Sequence, residues 1–264
     1  RTVNITTPLT GVSFADETHD TPSPASDYDI AGWTHDDRSV LVYDRYDIWE
    51  LDPTGERRPV MVTDSTGRRT KVILRLAMGS GRFGGDDDDD DERGIDPSEP
   101  LLLAGTNEET RSESFVREWL GTEREPQMIT VADANFGRPI KADDAEQYLI
   151  TKGTFVDFPN LYTGSSLASL TKISDANPQQ KDYNWGTVEM VRWTSTDGVP
   201  LKGLLFKPEN FESTRKYPMV VYHYEQLSQN LHNYSPPTRR NLMNPTHYVS
   251  NGYLVFEPDI HYDD

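Results

Sequence analysis

The chain has 264 residues, of which 44 are acidic and 26 basic, so its formal net charge at pH 7 is −18. Such a charge repels a phosphate backbone, so we expect no nucleic-acid partner. The sequence contains no cysteine, which excludes disulfides, thiolate-bound zinc and thiol catalysis. No stretch approaches the roughly 20 apolar residues of a membrane helix, so we expect no membrane span. Only 34% of the residues are apolar, but 13 Tyr and 5 Trp supply burial in a way that favours β structure.

Short β-rich runs dominate the first part of the chain. Residues 39–44, 46–51 and 58–63 follow one another closely, and Asp52-Pro53-Thr54-Gly55 provides turn chemistry between the second and third runs. With Trp33-Thr34-His35-Asp36-Asp37 in front, they form one blade-like unit of roughly 40 to 45 residues. Further strands are predicted at 71–76, 100–103, 127–131 and 147–151. A row of short strands with polar turns is typical of a sandwich, barrel or propeller, and the blade-like unit favours the propeller.

A Gly- and Asp-rich stretch at 79–97 interrupts this pattern. The like charges of its Asp run, Asp86–Asp91, cannot bury enough apolar surface to order the chain, which predicts a solvated Asp-rich loop between strands. Calcium binding by this run stays open as the alternative. An EF-hand loop, however, alternates ligands with spacers and ends on a Glu, and this run does neither.

The pattern changes near residue 185. Asp197-Gly198 between two strand-like runs is a strong hairpin signal. It is followed by a predicted buried strand at 217–222, a helix within 238–250 that ends at Asn251-Gly252, and a strand at 253–256. Hairpin, strand, helix and strand in this order are typical of the opening of a doubly wound sheet.

The order and spacing of several short segments resemble the prolyl oligopeptidase family of serine peptidases, which includes dipeptidyl peptidase IV and acylaminoacyl peptidase. The segments are Asp47-Ile48-Trp49, Asn177-Pro178-Gln179, Tyr183-Asn184-Trp185-Gly186, Ser195-Thr196-Asp197-Gly198, Lys207-Pro208, 217–224 and 252–256. The resemblance implies all-β propeller blades, present in part, followed by the start of an α/β-hydrolase domain. Residues 1–185 would form the C-terminal part of a propeller of which about four blades lie in this chain. Residues 186–264 would form the N-terminal part of the hydrolase domain.

Members of this family hydrolyse peptide or acyl-peptide bonds through an acyl-enzyme, with a nucleophilic Ser on a Gly-x-Ser-x-Gly turn that an Asp and a His follow. This sequence contains no Gly-x-Ser-x-Gly, so we expect the nucleophile beyond Asp264 and expect this chain alone to be inactive. The resemblance implies a peptide substrate, contact with the remainder of the same polypeptide, a possible homo-oligomer, and no cofactor or metal. A bacterial periplasm or cytoplasm would suit such a protein. A non-catalytic, propeller-type protein-binding module and an esterase of the same fold are the alternatives.

One catalytic residue is implied within the chain. In the family a Tyr hydroxyl after a strand end donates a hydrogen bond to the oxyanion, and such a donor contributes about 3 to 4 kcal/mol. The matching position is Tyr224, two residues after the last Tyr of the strand, and Tyr222 is the alternative if the register shifts.

Two other groups of residues carry weaker signals. The spacings of His223, His232, His247 and His261 fit no compact metal-ligand pattern, so we interpret them as surface or packing residues. Glu108-Glu109 resemble the paired glutamates with which dipeptidyl peptidases hold a substrate amine, but the flanking residues do not match. An exposed loop is therefore predicted at 107–113, and no aminodipeptide specificity is inferred.

Overall fold

The structure is a computed structural model that describes residues 2, 4–19, 22–77, 94–122, 124–237 and 243–260, apart from the Asp36 side chain. The chain forms two compact units. The first comprises Arg1–Ala132, Arg138–Tyr148 and Ser165–Ser169, and the second comprises Asp133–Gly137, Leu149–Gly164 and Leu170–Asp264. The Asp run at 86–91, with its alternative calcium site, and His261 lie outside the described residues.

The first sheet of the first unit is an antiparallel meander. Its strands are β1 (Ile30–Trp33), β2 (Val40–Tyr43), β3 (Ile48–Leu51) and β4 (Val60–Met61), in that order across the sheet. Leu41 and Ile48 on the two central strands are fully buried. The predicted turn at 52–55 is present, and the Asp52 carboxylate stabilises it by accepting from the Thr54 N–H at 2.9 Å.

The second sheet is another antiparallel meander, preceded by a short helix. Leu74, Leu103 and Val116 of this sheet pack with Leu41 and Ile48 of the first sheet, so the two meanders share one core. The elements are α1 (Thr66–Thr70), β5 (Val72–Leu76), β6 (Leu101–Asn107), β7 (Glu113–Glu118) and β8 (Gln127–Ala132).

Shorter strands follow these two meanders. In the second unit β11 pairs with β9, and β12 pairs antiparallel with β13. About four blades were predicted, but the described residues before Thr187 form three sheets, and the described part of residues 4–28 contributes only the isolated bridge between Ala15 and Asp27. The strands are β9 (Asn135–Phe136), β10 (Ile140–Lys141), β11 (Tyr148–Gly153), β12 (Asn160–Gly164) and β13 (Thr171–Lys172).

The last sheet is mixed, with strand order β14-β15-β17-β16. The hairpin β14–β15 is antiparallel, whereas β16 and β17 run parallel because the connection between them carries a helix. Antiparallel meanders followed by a mixed sheet with a β-α-β crossover confirm the predicted fold class. The elements are β14 (Thr187–Thr194), β15 (Pro200–Lys207), β16 (Met219–Val221), α2 (Pro245–Ser250) and β17 (Leu254–Pro258), with a 3₁₀ helix before them at Pro178–Asp182.

Two glycines confirm predicted chain reversals in this sheet. Gly198 in the β14–β15 turn has φ +85° and Gly252 after α2 has φ +82°, a region that glycine enters without a Cβ penalty. The described helix begins at Pro245, inside the predicted range, with the Asn244 side chain accepting from the His247 N–H at 2.9 Å. No helix among the described residues is long and apolar enough to cross a membrane.

Candidate functional site

The predicted site residue Tyr224 lies at the carboxyl ends of the two parallel strands. It follows β16 by three positions, after Tyr222 has extended the pairing by donating from its N–H to the Phe256 carbonyl at 3.0 Å. In open α/β sheets, ligands bind in the crevice outside the carboxyl ends of the strands. The fold therefore places Tyr224 at the edge of the sheet where such sites form.

The loop after Tyr224 is held by the residue that follows β17. The Asp259 carboxylate accepts from the Leu227 N–H at 2.7 Å, from the Ser228 N–H at 2.8 Å and from the Ser228 hydroxyl at 2.6 Å. The Ile260 N–H donates to the Glu225 carbonyl at 2.9 Å. These four bonds join the exits of β16 and β17 into one hydrogen-bonded loop structure. Sequence reasoning missed Asp259, although an acidic residue directly after a buried strand was a visible signal.

The two tyrosines of this segment differ in their surroundings. The Tyr224 side chain is 64% exposed, and the left-handed backbone of Glu225, with φ 49°, turns the chain immediately after it. Among the described residues no group bonds its hydroxyl, so that hydroxyl is available as a donor. Tyr222 is half-buried and continues the strand. Exposure and backbone geometry therefore favour Tyr224 over Tyr222 as the residue that could meet a ligand.

Glu257 is a buried acid at the end of β17 that sequence reasoning did not single out. It lies opposite Leu204 in the sheet register and is 6% exposed. Burial raises the pKa of its carboxyl to about 7. The alternation of Val255 and Glu257 on one face was the signal that could have found it.

The described histidines do not assemble into a metal site. His223 and His247 are exposed, while His232 is half-buried with its Nε2 atom enclosed and without a hydrogen-bond partner among the described residues. Burial lowers the pKa of His232, and Asp133 opposes this effect. No group of three metal-ligating side chains occurs in the described part of the chain.

Glu108 is not the exposed loop residue that the sequence predicted. It lies in the turn between β6 and β7, where Arg45 and the Tyr46 hydroxyl both donate to its carboxylate. Burial, together with this hydrogen bond, raises the pKa of Tyr46 to about 12. Glu109 is exposed, as predicted. Because Glu108 is bound within its own unit, the pair does not form a free amine-binding site.

No family model and no curated protein matches this sequence. Solved structures, in contrast, are similar to it in fold. A putative dipeptidyl aminopeptidase IV from Bacteroides ovatus matches with a TM-score of 0.55 and 11% identity over 92% of this chain and 34% of its own. An acylaminoacyl peptidase from Pyrococcus horikoshii matches with a TM-score of 0.48 and 14% identity over 90% of this chain and 34% of its own. A post-proline cleaving enzyme from Rickettsia typhi matches with a TM-score of 0.45 and 12% identity over 90% of this chain and 41% of its own.

The chain therefore spans between a third and two fifths of the length of these peptidases. At such low identity the likeness shows the fold, and it confirms, at that level, the predicted resemblance to prolyl oligopeptidase-type peptidases.

Proposed function

We propose that this chain is part of a serine peptidase that hydrolyses peptide or acyl-peptide bonds through an acyl-enzyme, with Tyr224 as an oxyanion donor. The nucleophile would lie beyond Asp264, and the domains would divide at residues 185 and 186. The observation that carries the proposal is the exposed Tyr224 side chain at the carboxyl ends of a parallel strand pair. The fold shared with known peptidases supports it.

Acyl transfer requires a fixed hydrogen-bond donor near the carbonyl oxygen of the substrate. When the nucleophile attacks the scissile carbonyl, negative charge develops on the carbonyl oxygen, and a donor held at about 2.7–3.1 Å from that oxygen stabilises the transition state. The phenol of Tyr224 would supply the donor. Asp259 would act as a positioning residue, because it fixes the loop that follows Tyr224. The reacting groups themselves would come from the rest of the polypeptide.

The test uses the polypeptide that continues past Asp264. Tyr224→Phe removes only the hydroxyl, and we expect kcat for an N-acylated peptide anilide to fall by about 10²–10³-fold with KM nearly unchanged. Tyr222→Phe is the matched control, and it should keep kcat within about twofold of the unsubstituted protein. Equal losses in both variants, or no loss in Tyr224→Phe, would refute the role of Tyr224.

A second measurement tests where the nucleophile lies. A fluorophosphonate probe labels activated serines, and we expect it to label the longer polypeptide but not the 264-residue chain. Labelling and peptide hydrolysis by this chain alone would contradict the proposed position of the nucleophile. If the longer polypeptide hydrolysed simple esters but not peptides, the esterase alternative would hold and the proposed peptidase activity would be wrong.

A further inference from the structure

The second unit contains a groove of about 990 Å³ that the proposed catalytic role does not use. Its base is a packed set of three aromatic side chains. The Trp185 and Tyr234 rings stack at 4.9 Å with 17° between their planes, and Phe158 meets Tyr234 edge-on at 5.0 Å. Pro236 and Pro237 also line the groove. The volume lies within the range of ligand-binding pockets.

Hydrogen bonds fix this aromatic base. The Tyr234 hydroxyl donates to the Gln180 Oε1 at 2.8 Å and accepts from the Asn177 Nδ2 at 2.8 Å. The Gln180 Nε2 donates to the Val156 carbonyl at 2.7 Å, and the Trp185 indole N–H donates to the Phe155 carbonyl at 2.6 Å. Because these hydrogen bonds hold the rings in place, little of the groove has to become ordered when a ligand binds, which lowers the entropic cost of binding.

Tyr183 is the accessible ring of the groove. Its side chain is 68% exposed. It also lines a second, adjoining groove of about 510 Å³, so it stands between the two. Trp185, in contrast, is flanked by Tyr234 on one side and by Phe155 at 6.4 Å on another. Among the Tyr, Trp and Phe side chains that line the larger groove, Tyr183 alone is exposed, and one such ring rather than a broad aromatic platform favours a narrow, extended occupant.

The charges around Tyr183 favour a cationic occupant. Asp182 lines the larger groove, and Asp157 and Glu209 line the adjoining one. All three carboxylates are exposed and have no ionic partner among the described residues. Two lysines line the adjoining groove: Lys172 is paired with Asp175 at 3.3 Å, which leaves Lys181 as one cation against the three carboxylates. A second copy of this chain, with its net charge of −18, fits this surface poorly.

We propose that the two grooves form a docking surface for an extended peptide segment rich in proline and arginine. Proline residues in the polyproline conformation dock against aromatic-lined grooves, because the segment is already extended and loses little entropy on binding. An arginine of the segment would lie over the face of Tyr183, close to the carboxylates of Asp157 and Asp182. The proposal concerns binding, and it does not depend on the proposed catalytic role of Tyr224.

Fluorescence anisotropy with a labelled peptide of alternating proline and arginine tests the proposal on the full 264-residue chain. We expect a Kd on the order of 10–100 μM, since such grooves bind short segments weakly. Tyr183→Ala should weaken binding by about fivefold, and Asp182→Asn by about twofold with a smaller dependence on salt. The matched controls are Tyr253→Ala, another exposed tyrosine of the same unit, and Asp197→Asn, an exposed acid in the β14–β15 turn. Both controls should bind like the unsubstituted chain.

Two altered peptides separate the parts of the proposal. Replacing arginine by glutamate should abolish binding, and replacing proline by alanine should weaken it by about tenfold. Absence of binding at about 1 mM peptide, or equal binding by Tyr183→Ala and the unsubstituted chain, would overturn the proposal. Tyr183-dependent binding of a neutral oligosaccharide, with none of the arginine peptide, would also overturn it by identifying a different ligand class.

Discussion

The two sheets of the first unit each bury acidic side chains, and they treat them in opposite ways. In the turn that joins β2 and β3 of the first sheet, Asp47 is fully buried, and its two oxygens accept from the Thr63 hydroxyl at 2.7 Å, the Gly67 N–H at 2.9 Å and the Arg68 Nε at 2.8 Å. Asp44 beside it accepts from the Trp49 indole N–H at 2.7 Å and also from Arg68. This cluster matches each buried charge with several donors.

Glu118 of the second sheet is buried just as completely but has fewer donors. One of its oxygens accepts from the Trp119 N–H at 2.7 Å, while the other is enclosed without a partner among the described residues. Burial raises the pKa of this carboxyl to about 7. From this difference we expect the supply of donors, more than burial itself, to determine what a buried carboxyl costs the fold.

The largest effect is expected from removing charge in the satisfied cluster. Asp47→Asn removes one of the two carboxylates that Arg68 binds, leaving only Asp44, and turns an amide N–H₂ towards groups that are themselves donors. We expect the free energy of unfolding to fall by about 3–5 kcal/mol, measured by urea denaturation at pH 7. Glu56→Gln, which changes an exposed acid of the same unit, is the control and should have almost no effect. A loss of unfolding free energy below about 1 kcal/mol for Asp47→Asn would contradict the difference drawn between Asp47 and Glu118.

A smaller effect, of opposite sign, is expected at Glu118. Its pKa in the folded state lies above the ordinary value of 4.5, so its stabilising contribution is complete below pH 4.5 and is lost as the pH rises through about 7. Glu118→Gln cannot ionise, so its stability should be flatter across this window. Between pH 5 and pH 8 we expect the free energy of unfolding of the unsubstituted chain to fall by about 2 kcal/mol more than that of Glu118→Gln.

Hydrogen exchange resolved by segment can sharpen this result. Glu118→Gln should change the pH dependence of protection in β6 and β7 only. Glu257→Gln, at the buried acid of the second unit, should act in β15 and β17 only. An unchanged slope in both variants would show that these carboxyls do not titrate in the window that their burial implies.

The smallest effect is expected at Asp259, the satisfied acid of the second unit. It is half-buried and accepts three hydrogen bonds from one loop, so Asp259→Asn should cost about 1–2 kcal/mol. The loss should appear as faster hydrogen exchange at Leu227 and Ser228. Glu212→Gln, an exposed acid in the same unit, should leave exchange there unchanged. Unaltered exchange in Asp259→Asn would mean that the loop is held by other contacts.

Much of the fold could be predicted because local patterns agree with it. The strands at 40–43, 48–51 and 72–76, the Asp-Gly hairpin and the glycine after α2 all follow from residue alternation and turn chemistry. The strand β7 was missed because its start, Glu113, reads as polar loop. Its burial comes from pairing with β6, which no local pattern reveals.

The candidate site was less accessible to sequence reasoning. Tyr224 could be chosen by its place after a strand, and that assignment stays a prediction. Asp259 and Glu108 act through partners far away in sequence: Asp259 bonds Ser228 at a separation of 31 residues, and Glu108 binds Arg45 at a separation of 63. Such pairings depend on which strands become neighbours, and composition and periodicity carry no information on that choice.

The bonds from Asp259 to the loop after Tyr224 also set an order of events during synthesis. The ribosome releases Ser228 well before Asp259, because 31 residues separate them. Until β17 has been made and has paired beside β16, the loop lacks these hydrogen bonds. The candidate site at this sheet edge would therefore be completed late, by the strand that follows it, and a nascent chain that stalls before Asp259 would carry Tyr224 next to a loop without these bonds.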